Sequence, residues 1–138
     1  MLFKWKDTFS CNIEEIDRQH KKLFELGSKL DDIISLKDGY DHYDEIMEVL
    51  AELRDYTVYH FGYEEALMKE HNFEQLESHK YQHELFVDKI NEVYNKNIDD
   101  NQERVTFEIL MFVADWISTH ILKTDMNYKD FLNEKGLY

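Results

Sequence analysis

Not one proline interrupts the 138 residues of this chain, and only four glycines do. A proline inside a helix costs roughly 3 kcal/mol and a glycine about 1 kcal/mol relative to alanine. A chain that lacks the first and is poor in the second is free to run long helices with short connections. The spacing of its apolar residues then shows where those helices lie, through alternating steps of three and four.

Four such runs are present. Ile13, Ile16, His20, Leu23, Gly27, Leu30 and Ile34 make the first, which stops near "LKDGYD" at Gly39 and its neighbouring aspartates. Ile46, Val49, Leu53, Tyr56, His60, Glu64 and Leu67 make the second, and Asn72 in "EHNF" is its expected terminator. The third is Leu76, His79, His83, Phe86, Ile90 and Val93, ending at the loop-like "NKNIDDN". The fourth is Val105, Ile109, Phe112 or Val113, Trp116 and His120, followed by a short helix over 126–134. Four amphipathic helices on short loops predict an all-α, up-down-up-down four-helix bundle. Phe3, Trp5 and Phe9 are expected on an N-terminal arm that packs on the outside. Residues 1–138 read as one domain, with enough apolar residues, 43%, for one core.

Charge and composition remove several function classes. The net charge of −14 repels nucleic acid and anionic lipid, so neither is expected as a partner. No stretch approaches the ~20 apolar residues of a membrane helix. "MLFKWKDTFSCNIEE" lacks the apolar run of a signal peptide, which makes the cytoplasm the expected compartment. A monomer is the expected state. Cys11 is the single cysteine, so no intramolecular disulfide forms, and a plain buried or partly buried thiol is expected.

The informative residues are polar ones in apolar places. His20, His60, Glu64, His79, His83 and His120 all fall on core-facing positions, and all four helices contribute. Each unsatisfied buried polar group costs roughly 1–3 kcal/mol, against a total stability of about 5–15 kcal/mol. For any one of these histidines a core hydrogen bond is explanation enough. For five histidines and a glutamate it fails, because neutral imidazoles each carry one donor and one acceptor and a shared cluster crowds. A metal site consumes the inward nitrogens instead. The supply exceeds the four ligands of one zinc, and magnesium and calcium prefer oxygen. It suits two iron-type ions bridged by carboxylates. That requires a second carboxylate, and Asp125, five residues after His120, is the best candidate. A step of five does not repeat on an ideal helix, so the fourth helix is expected to end or widen there. Glu25, Glu48 and Asp88 read as solvated face.

The segments "IDRQHKKLF" (16–24), "HFGYEEALM" (60–68), "HKYQHELF" (79–86) and "WISTHILKTD" (116–125) resemble the hemerythrins, in their single-domain prokaryotic form. The likeness runs from Trp5 to about Phe131. It implies a non-haem di-iron centre with an oxo or hydroxo group as a third bridge. By that resemblance His79, His83 and His120 hold one iron, His20 and His60 hold the other, and Glu64 and Asp125 bridge them. The iron with two histidines keeps an open position for O2, and NO or small anions such as azide are further candidates. Reversible O2 binding, for transport, storage or sensing, is the expected function, and an enzyme is not expected.

The alternatives are a di-iron enzyme acting on O2, peroxide or NO, an iron store, and a purely structural metal bundle. O2-activating bundle enzymes use mostly glutamates with a Glu-x-x-His motif on each of two helices. No core-facing pair of that kind is present. A structural role leaves an open coordination position unexplained.

Phe112, Val113 and Trp116, one and two turns before His120, are expected to wall the open position. His42 and His71, near helix ends, read as surface residues. Asp17 and Gln19, beside His20, are expected to be exposed, with a hydrogen bond to that ligand as the alternative. Cys11 and Asn12 in "FSCNIEEID" stand where the family pattern calls for small or aliphatic residues, which bears on how the arm packs.

Overall fold

The computed structural model describes residues 2–95 and 102–138, with side chains in the second stretch described from 106 onward. Helix α1 spans Glu14–Ile34, α2 Tyr43–Glu70, α3 Leu76–Asn95 and α4 Gln102–Thr119. A π-helical segment, His120–Asp125, continues α4 directly into α5, Met126–Glu134. Each of the four long helices packs on its chain neighbours, and α4 closes against α1. The result is the up-down-up-down bundle that the apolar periods predict. Most of the loop at "NKNIDDN" and the side chain of Val105 lie outside the described residues.

Local chemistry explains the boundaries. Glu14, Glu15 and Asp17 occupy the first turn of α1, where negative charge meets the positive end of the helix dipole. Helix α2 stops at a left-handed Asn72, φ 57°. Asn72 N–H donates to Lys69 O at 3.2 Å and Phe73 N–H to Met68 O at 2.9 Å, the paired bonds of a Schellman ending. Helix α5 ends the same way, with Gly136 at φ 90° and Leu137 N–H on Leu132 O at 3.1 Å.

The arm departs from expectation. Phe3 and Phe9 are 6% and 7% exposed and belong to the main core, so the arm is part of it rather than an outer layer. Gly27 is why: a Cβ there would overlap the Phe3 ring, so only glycine lets the ring lie on the α1 backbone. Trp5 packs edge-on against Phe24, with Lys21 over its outer face. Asn12 takes a left-handed turn, φ 54°, and Cys11 is fully buried.

The apolar interior comes in two parts. The larger holds Leu23, Leu30, Leu50, Leu53, Phe86, Ile90, Ile109 and Ile117 among others. The smaller gathers Cys11, Ile13, Ile16, Met68, Tyr128 and Leu132. In sequence, His20 falls between Ile16 and Leu23, and Glu64 between Phe61 and Met68. Asp125 likewise falls between Ile121 and Tyr128, so the polar layer lies where the two cores meet.

Candidate metal centre

The polar layer is closed to solvent. His20, His60, Glu64, His79, His83, His120 and Asp125 are each at most 4% exposed. Helix α1 supplies His20, and α2 supplies His60 and Glu64 from one face, four residues apart. Helix α3 supplies His79 and His83 by the same spacing. The π-helical segment supplies the remaining two, because its wider turn puts residues five apart on one side.

These side chains form two groups that share Asp125. One is His79, His83, His120 and Asp125; the other is His20, His60, Glu64 and Asp125. Asp125 turns one oxygen to each group. Its Oδ1 lies 2.9 Å from the Nε2 atoms of both His79 and His120, and its Oδ2 lies 3.0 Å from His20 Nε2. Glu64 reaches across as well, with Oε1 2.6 Å from His60 Nε2 and 3.8 Å from His83 Nε2. Its Oε2 accepts a 2.6 Å hydrogen bond from the Tyr128 hydroxyl.

Three outward hydrogen bonds decide the tautomers. His60 Nδ1–H donates to Gln19 Oε1 at 2.7 Å, His83 Nδ1–H to Glu65 Oε2 at 2.8 Å, and His120 Nδ1–H to Gln82 Oε1 at 3.1 Å. Gln19 is pinned in that orientation because its amide nitrogen donates to Glu15 at 3.0 Å, and Gln82 because Thr124 donates to the same oxygen at 2.9 Å. A neutral imidazole that spends its proton outward turns a bare lone pair inward. Burial pushes the His83 pKa down to about 3, so that ring is neutral. Yet His120 Nε2 sits 3.1 Å from His83 Nε2 and 3.2 Å from His79 Nε2. The inward nitrogens of His79, His83 and His120 thus crowd together around one point.

The carboxylates point the same way. Burial and the charge of Asp125 push the Glu64 pKa up, but His60 and His20 outweigh both and hold it at about 2. Burial likewise opposes ionisation of Asp125, and His120, His20 and His79 hold its pKa well below the usual range. Two buried anions therefore sit among imidazole nitrogens. Glu64 Oε1, both Asp125 oxygens and His20 Nε2 find no aligned hydrogen bond despite their close neighbours. Inward lone pairs, two negative charges and unsatisfied oxygens are what a pair of cations would resolve, and the donor set of imidazole plus carboxylate suits iron-type ions.

A small cavity lies on the His20 and His60 side. Leu23, Thr57, Phe61, Trp116, Ile117 and Ile121 line it, with His20, His60, His120 and Asp125 at its floor. Its free volume of about 10 Å³ suits one molecule the size of water or O2. Trp116 also stacks on His120, with ring centres 4.3 Å apart. Phe112 and Val113 are not among the lining residues: Phe112 stacks on Phe86 at 5.8 Å and Val113 is buried in the main core. Ile117 and Ile121 take the wall instead. Ile117 lies three residues before His120, so the signal for it was the same helical step read one residue later.

Asp17 and Gln19 are not exposed. Gln19 is fully buried and serves His60 across the α1–α2 interface, not the adjacent His20. Asp17 is partly buried and accepts from the Cys11 N–H at 2.8 Å and the Ser10 hydroxyl at 2.5 Å, which anchors the arm. His42 and His71 sit at the two ends of α2, each partly covered, and His42 lies between Asp38 and Glu45. Glu65 and Gln82 carry no signal in the helical pattern, since each falls on an outer face of its helix.

Residues 11–132 match the family model described as the hemerythrin HHE cation binding domain. The chain is 37% identical to a bacteriohemerythrin of Clostridium acetobutylicum over 129 residues, covering 94% of this chain and 100% of that one. It is 33% identical to a hemerythrin-like protein of Naegleria gruberi, covering 94% and 93%. Its fold is similar to a crystal structure of wild-type hemerythrin, with a TM-score of 0.74 at 28% identity, covering 92% of this chain and 95% of that one.

Proposed function

The chain belongs to the hemerythrin family, and from that membership we propose that it binds O2 reversibly at a pair of non-haem irons. The observation that carries the reading is the two buried ligand groups joined through Asp125, with the Nε2 atoms of His83 and His120 3.1 Å apart. His79, His83 and His120 would hold one iron, His20 and His60 the other, with Glu64 and Asp125 bridging. When bound, the pair supplies the electrons that make O2 capture reversible.

The protein supplies the surroundings. Five imidazoles and two carboxylates leave the two-histidine side one donor short, and the cavity opens on that side. Its apolar wall keeps water and anions from the open position, which protects the reduced state. Its size restricts the guest to one molecule as small as water or O2. Thr57 supplies the one hydroxyl in the lining, and it donates to Arg54 O at 2.8 Å, so its proton is turned away from the cavity. The role we propose is a cytoplasmic O2 carrier, store or sensor domain rather than a catalyst.

Elemental analysis and one optical titration test this. Protein from iron-replete cells should carry about two irons per chain. The reduced form should gain a visible band in air and lose it when O2 is removed. One zinc per chain with no iron uptake would sink the reading. Steady O2 consumption with a reductant would favour an enzyme.

A further inference from the structure

The outward partners of the ligand histidines are unequal. His60 and His120 donate to the neutral amides of Gln19 and Gln82, while His83 donates to a carboxylate, Glu65. Glu65 follows the ligand Glu64 directly but leaves the core: its side chain is 24% exposed, against 0% for Glu64 and 2% for His83. It forms part of the wall of a surface groove with Gly62, Glu84 and Asp88, over the edge of His83. A stacked Phe61 ring, 3.9 Å away, holds His83 in plane for that bond.

We infer that Glu65 is a positioning residue that biases the three-histidine ion toward its higher oxidation state. An anion accepting the Nδ1 proton pushes electron density through the ring to Nε2 and makes that nitrogen a stronger donor. A stronger donor favours the more highly charged ion. Gln19 and Gln82 hold their rings as firmly but do not push. The two ions therefore sit in unequal fields set from outside the ligand layer, and the side away from the cavity is the better electron source when O2 arrives. This rests on the iron-pair reading above.

Spectroelectrochemistry of the iron-loaded protein tests it. Glu65→Gln keeps the shape and an accepting oxygen and removes only the charge. At a fixed ambient potential the ratio of oxidised to reduced protein should fall about tenfold. That corresponds to a midpoint about 59 mV higher for a one-electron couple. Gln82→Glu, which places a carboxylate on His120, should move the midpoint the other way. Glu84→Gln removes a charge from the same groove without touching a ligand and should leave it nearly still. Zinc affinity, measured separately, should fall in Glu65→Gln with no redox step involved. If Glu65→Gln moves the midpoint no more than Glu84→Gln, and Gln82→Glu moves it not at all, the inference is overturned while the iron pair stands. If the wild-type protein shows no iron couple, the iron-pair reading fails and takes this inference with it.

Discussion

The two halves of the polar layer are built from the same residue types and differ in almost everything else. On one side three histidine nitrogens converge within 3.2 Å of a neighbour, and one ring is polarised by a carboxylate. On the other, His20 and His60 face an apolar cavity, and His20 has an Nδ1 that is buried without a hydrogen-bond partner. Neither His79 nor His83 of the crowded half reaches the cavity, whose wall is mostly apolar. Under the proposed function this difference would separate binding from holding within a few ångströms, one half gripping and the other leaving a place.

Removing what the halves share should have the largest effect. Asp125→Ala takes an oxygen from both groups and Glu64→Ala removes the second proposed bridge, so iron per chain should fall close to zero by elemental analysis. Glu64→Ala also leaves the buried Tyr128 hydroxyl without its acceptor, a further loss of about 1–3 kcal/mol in thermal unfolding. If either variant keeps one full iron, the bridging assignment is wrong.

Next comes the removal of what they do not share. His60→Ala should lose mainly its own iron and keep about one per chain. His83→Ala reduces the crowded half to the ligand count of the sparse one and should retain both, more weakly. Equal losses in the two variants would erase the asymmetry. A smaller effect is expected from the outer partners: Gln19→Leu frees His60 to rotate and should cost about tenfold in affinity at that ion alone. Stepwise chelation with two resolved phases would show it, and a matching loss at the three-histidine ion would argue against it.

The finest test concerns the wall. Trp116→Ala opens the cavity and should speed autoxidation several-fold while both irons stay bound. The control is Leu50→Ala, fully buried and ten residues up α2 from His60, with a similar stability loss of about 2–5 kcal/mol. Ile34 is only partly buried and makes a poorer control. Should Leu50→Ala autoxidise as fast, general loosening explains both and the wall has no special role.

The bundle and the ligand layer were legible because each rests on a local period. His60 and Glu64, or His79 and His83, declare a shared face by their spacing alone. Asp125 was legible by its misfit: a step of five asks for a widened turn, and the helix has one. What stayed hidden depends on contacts between helices. Gln19 points across to α2 and not to its neighbour His20, and Glu65 and Gln82 look like any polar residue on an outer face. No step along one helix encodes a partner on another. The arm was misplaced for the same reason, since the groove that admits Phe3 is made by an absent side chain at Gly27.

The π-helical segment carries a consequence for insertions and deletions. An α-helix advances about 100° of azimuth per residue, so one residue too many in a turn rotates everything after it by that amount. Here the surplus residue lies between His120 and Asp125, and the wide turn absorbs it, so that α5 beyond presents Tyr128 and Leu132 to the smaller core. Deleting one residue from 121–124 would restore an ordinary helix and keep its helical circular dichroism. The aspartate and Tyr128 would then stand four and seven residues after His120 and stay inward, whereas inserting one further residue would swing both out of the interior together. The irregular turn is thus a phase setting: the aspartate and the helix that supports Glu64 were indexed by the same single-residue slip, and neither can be re-timed without the other.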